Sequence, residues 1–199
     1  MQDYRKNLDN LSALVFKAYL DSVMFLSIVP LATDKRKTSN FLFDYSYYTI
    51  RERAIIAVKS LIERQGKNRL TLERIIKSLE EKEEYKTYAE ELYSQYKDLF
   101  DSEAAQRIKK FRDSLCHNVK DDCEIKIYCK DILEVMNSIL GIIDNIYQSI
   151  FNVANENFYK IQNLSHLLAD DYWRAICKQA DEMPNRYQEL TELQKLFNL

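Results

Sequence analysis

The chain has two histidines, so a histidine-based active site must use His117 or His166. Only His117 follows closely on an arginine, in the string Arg112-Asp-Ser-Leu-Cys-His117-Asn118. Histidine titrates near neutrality and can carry a proton, whereas arginine stays charged and grips phosphate through parallel N–H donors. The string ends just before the polar run Lys120-Asp121-Asp122, at the predicted close of a helix. The same residues also suit a structural role, in which a helix-end histidine pairs with Asp113 and steadies the last turn through the helix dipole.

Helices must position these residues. Only two Gly and two Pro accompany 46% hydrophobic and 30% charged residues, a composition short of turn formers and rich in amphipathic material. The expected fold is all-α, an antiparallel helical bundle with a C-terminal helical extension. Residues 1–154 are assigned to the bundle and residues 155–199 to helices packed on it or extending it.

Along the chain, Leu8, Leu11, Leu14 or Val15, Ala18, Ser22, Phe25 and Ile28 recur at helical steps as far as Pro30, which is expected to end the first helix. Phe41 to Gln65 reads as a second helix closed by Gly66. Thr71 can cap a short helix bearing Leu72, Ile75, Ile76 and Leu79, and Ser102 a later one through Ala105, Ile108, Phe111 and Leu115. The long stripe from Ile125 to Ile150 predicts a central helix, followed by one around Leu164 to Ala180 and a short one after Pro184.

At this point the chain resembles a known group. The segment Lys67-Asn-Arg-Leu-Thr-Leu-Glu-Arg-Ile-Ile-Lys-Ser-Leu79, then a charged helix, then Phe111-Arg-Asp-Ser-Leu-Cys-His117, looks like the AbiU-type abortive-infection subgroup of the HEPN superfamily. The resemblance spans roughly Met1 to Ile150. It implies a dimerising helical bundle that cleaves RNA without metal in a prokaryotic phage-defence or toxin–antitoxin setting, with an antitoxin or other protein as a further partner. Cys116 stands where the subgroup often has a small aliphatic residue, and a thiol of that size should be tolerated. Val119 occupies the position at which another class of HEPN toxin carries a modified tyrosine.

The chemistry that the resemblance implies makes His117 the proton carrier for the RNA 2′-hydroxyl and Arg112 the cation that steadies the phosphorane-like transition state. Asp113 could orient the imidazole from four residues away, and Asn118 could donate to a phosphate oxygen. Products would be a 2′,3′-cyclic phosphate and a 5′-hydroxyl. On a regular helix, however, His117 lies about 140° around the axis from Arg112. Either the helix breaks near Cys116, or Arg112 of one subunit works with His117 of another.

Charge limits the RNA contact. Between Asp101 and Lys120, the cations Arg107, Lys109, Lys110, Arg112 and Lys120 outnumber Asp101, Glu103 and Asp113, giving a local +2 in a chain of net charge −2. That suits a short contact through Lys109, Lys110 and Lys120, and falls short of the roughly 6–10 phosphate contacts of tight nonspecific binding. The fourteen tyrosines, Tyr45, Tyr47, Tyr48 and Tyr96 among them, are expected at helix interfaces. His166 is read as a structural or capping residue.

No metal site and no cofactor is expected, since Cys116, Cys123 and Cys129 around His117 have spacings that fit no common zinc site. The four cysteines without a C-x-x-C pair suit a reducing cytoplasm. The uncharged run from Ser22 to Thr33, interrupted by Pro30, is too short to cross a membrane. The competing reading is a non-catalytic HEPN-like module that binds RNA or protein, and a third makes Leu190, Leu193, Leu196 and Phe197 a partner-docking face.

Overall fold

The computed structural model describes residues 2–32, 41–63, 70–117, 129–153 and 156–182. Among them are seven α-helices and no strand: α1 (Gln2–Ala32), α2 (Phe41–Ile62), α3 (Leu72–Glu80), α4 (Lys86–Asp101), α5 (Glu103–His117), α6 (Cys129–Phe151) and α7 (Glu156–Glu182). A 3₁₀ turn, Glu83–Tyr85, joins α3 to α4. The all-α bundle expected from composition is the observed fold.

Caps and periodicity explain the local structure. Thr71 Oγ1 accepts from the Arg74 N–H at 3.3 Å, and Ser102 Oγ from the Ala105 N–H at 3.2 Å, so two helix starts are fixed by side chains that were legible as caps. Every apolar residue of the α3 stripe, Leu72, Ile75, Ile76 and Leu79, is buried. In α1 the choice between Leu14 and Val15 falls to Val15, which is fully buried while Leu14 is 47% exposed.

Pro30 does not end α1, which runs on to Ala32. A proline there forfeits only one backbone bond of the last turns, and the helix stops soon after it. Helix α2 closes at Ile62, three residues earlier than expected. Gly66, assigned as its cap, lies outside the described residues, as do Ile125 and the segment after Pro184.

Helix α6 is central. Ile132, Val135, Met136, Ile139, Ile143 and Ile146 are buried, and the helix packs against α1, α2, α4 and α5. Pairings across the bundle run late against early. Phe25 meets Tyr47 and Asp21 meets Arg53, so α1 and α2 are antiparallel; Tyr147 meets Ser12 and Phe151 meets Tyr4, so α1 and α6 are antiparallel as well. Helix α7 joins the same core through Ala169, Trp173 and Cys177, with the Trp173 indole N–H donating to the Met24 carbonyl at 2.6 Å. None of the described helices is long and apolar enough to cross a membrane.

One buried carboxylate gives a pH prediction. Asp21 is buried and accepts from Arg53 at 2.8 Å, yet desolvation outweighs Arg53 and Lys17 and raises its pKa. A raised carboxylate pKa favours the protonated form in the folded state. Its contribution is therefore fully present below the unfolded value of about 3.9 and lost as pH rises through the folded value. Asp21→Asn, which cannot ionise but still accepts from Arg53, should melt higher than the wild type at pH 7. The advantage should vanish when melting curves are recorded below the unfolded aspartate value.

Candidate functional site

The site rests on α5. Ala104, Ala105 and Ile108 turn one side of this helix into the core against α2 and α6, and Ser102 fixes its start. Farther along, burial weakens: Phe111, Arg112, Asp113 and Ser114 are all half-buried, so this stretch of α5 lies at the margin of the core. The Arg112 side chain is 27% exposed there.

Arg112 donates from NH1 to Asp113 Oδ1 at 3.1 Å, with both side chains partly exposed. Asp113 had been assigned to orient His117; the contact observed for it is with Arg112. The backbone of α5 stays helical through His117, which removes the alternative of a break near Cys116. Within one chain the two residues therefore leave the axis about 140° apart. The side chain of His117 lies outside the described ones, and Asn118 and Lys120 lie outside the described residues altogether.

Of the three lysines assigned to RNA, Lys120 is outside the described residues, Lys109 shares a flank with Arg112, three residues and about 60° away, and Lys110 is about 160° round the helix. Lys109 is half-buried, with its ammonium 5.3 Å from the centre of the Phe100 ring. Arg107, counted in the local positive charge, belongs to the framework. Its Nε and NH2 donate to the two oxygens of Asp131 at 3.0 and 2.7 Å, and NH1 meets Glu103 at 2.6 Å. Asp131 is 0% exposed, so this fork clamps α5 to the start of α6.

Sequence reasoning missed Arg51. Its guanidinium carbon stands 4.8 Å from the Phe111 ring centre and 5.6 Å from that of Tyr48, so a second arginine is held between two rings beside the chain neighbour of Arg112. Its Nε is buried and bonded to no other group. Tyr48 and Arg51, one helical step apart, gave a local signal, but the Phe111 contact is tertiary. Tyr45 and Tyr48, expected at helix interfaces, are 62% and 53% exposed on the same helix, while Tyr96 follows expectation and donates from its buried hydroxyl to the Ile62 carbonyl at 3.0 Å.

His166 lies within α7, exposed, its ring nearly perpendicular to that of Tyr19 with the centres 6.5 Å apart. It caps nothing. Among the described residues no group of His, Cys, Asp and Glu is arranged to hold a metal ion. Compared with protein-family models, curated proteins and solved structures, the chain matches none.

Proposed function

We propose that this protein is a metal-independent endoribonuclease of the HEPN type, acting as a homodimer in the cytoplasm of a prokaryote, in a defence or toxin–antitoxin setting. The observation that carries the reading is the surface end of α5, where Arg112 and Lys109 share a flank and Phe111 holds Arg51 against the exposed Tyr48. Cations interleaved with accessible rings suit an RNA strand, whose phosphates meet the guanidinium groups and whose bases meet the rings. The Arg112-to-His117 string supplies a proton carrier on the same helix, and its likeness to the AbiU-type subgroup supplies the reaction.

In that reaction the 2′-oxygen forms a bond to phosphorus as the bond to the 5′-oxygen breaks. His117 takes the 2′-hydroxyl proton, a proton is returned to the departing 5′-oxygen, and Arg112 holds the equatorial oxygens as they gain charge. The protein remains covalently unchanged.

The Asp113 carboxylate on Arg112 favours a second reading, a non-catalytic RNA- or protein-binding module in which the pair stabilises the helix end. Incubating purified protein with mixed, end-labelled RNA in EDTA separates the two. The expected result is cleavage that leaves cyclic phosphate ends and is lost in both Arg112→Ala and His117→Ala. Equal behaviour of all three proteins would establish the binding module instead.

A further inference from the structure

A cavity of about 400 Å³ opens between the end of α2, the end of α4 and the first turns of α5. Its apolar walls are Ile62, Phe100 and Ala105, and its polar groups are Lys59, Glu63, Gln106 and Lys109. That volume lies within the roughly 300–1,000 Å³ range of small-molecule sites, and so does the pattern of apolar walls with a few converging polar groups.

Lys59 is the unusual member. It is only 6% exposed, although lysine is almost never fully buried unless paired. Its ammonium meets Glu63 at 2.5 Å, and the carboxylate itself is partly exposed. An ammonium carries three N–H donors, and Glu63 takes one. Glu63 is the acceptor shown for it among the described residues, and burying its remaining donors costs free energy that an anion in the cavity would offset.

The surrounding groups narrow the choice of anion. Among the described lining residues two ammoniums face one carboxylate, one net positive charge that a monoanion neutralises and a dianionic phosphate would exceed. The Phe100 ring, with the Lys109 ammonium 5.3 Å from its centre, offers a flat wall continuous with Ile62 and Ala105. Two helix-end carbonyls beside the cavity are satisfied from within: Gln106 Nε2 donates to the Phe100 carbonyl at 2.8 Å, and Tyr96 to that of Ile62. Their carbonyls thus do not call for a cation.

From this geometry we infer that the cavity is a binding site for an aromatic monocarboxylate, with its carboxylate between Lys59 and Lys109 and its ring against Phe100 and Ile62. The cavity shares Lys109 with the proposed RNA contact, and its other lining residues take no part in that contact. Isothermal titration calorimetry with 1-naphthoate tests it. One saturable site per chain is expected, weakened about tenfold or more in Lys109→Glu and in Lys59→Met, with the neutral 1-naphthylmethanol binding about tenfold more weakly than 1-naphthoate.

Lys109 is half-buried at the rim, so Lys109→Glu should keep the fold, which a thermal melt verifies, even if Lys59→Met does not. Absence of saturable binding would overturn the inference. So would binding that survives Lys109→Glu but is lost in Leu167→Lys, since Leu164, Leu167 and Leu168 form a separate exposed apolar patch on α7.

Discussion

Mixing purified Arg112→Ala and His117→Ala chains should restore about a quarter of the wild-type rate of RNA cleavage, although each variant by itself is slower by about 10²–10⁴. The expectation follows from the continuity of α5. With α5 helical from Glu103 to His117, five residues turn the backbone about 140° between positions 112 and 117. In the twofold dimer proposed above, each cleft would take its arginine from one subunit and its histidine from the other. After random exchange about half of the dimers are mixed, and each mixed dimer has one cleft with both residues intact and one with neither. Initial rates in EDTA, with exchange verified by native mass spectrometry, give the answer. Complete exchange with no recovery would mean that the residues act within one chain or do not act together, and the dimeric site would be abandoned.

The parts of this architecture that were legible in the sequence are those set by local physics. Thr71 and Ser102 could be read as caps because a hydroxyl three residues before a backbone N–H has one dominant use at a helix start. The α6 stripe could be read because a helix contacted on several sides must be apolar over a wide arc. Illegible were the features settled by neighbours distant in sequence. Val15 rather than Leu14 faces inward because of where the other helices lie, and both residues fit the local period equally well.

The candidate site divides along the same line. The position of Arg112 at the margin of the α5 stripe was visible on a helical wheel, and the structure keeps it there, half-buried. Its cationic surroundings were not visible, because a formal charge count treats every arginine alike. Arg107 is spent on Asp131, twenty-four residues away, while Arg51 from a different helix stands against Phe111. The local charge computed from sequence therefore named the wrong arginine as available and omitted one that is close.

That fork also carries the largest expected effect on stability. Arg107→Ala should lower the melting temperature by about 10 °C, because it takes from the buried Asp131 carboxylate the two N–H bonds and the charge that Arg107 supplies. Asp131 is wholly enclosed and receives two parallel N–H bonds, and the same contact raises the Arg107 pKa, chiefly through the hydrogen bond to Asp131. Removing one partner of such a pair is costlier than removing both, since the cost lies in the stranded charge more than in the lost attraction. The double variant Arg107→Met with Asp131→Leu should accordingly melt several degrees above Arg107→Ala. Arg107→Lys should fall between wild type and Arg107→Ala, since an ammonium keeps the charge but cannot reproduce the planar fork. Thermal melts of the four proteins rank these effects. If Arg107→Ala melts with the wild type, the clamp between α5 and α6 does not hold the helix that carries Arg112, and apolar packing through Ala104, Ala105 and Ile108 suffices to position it.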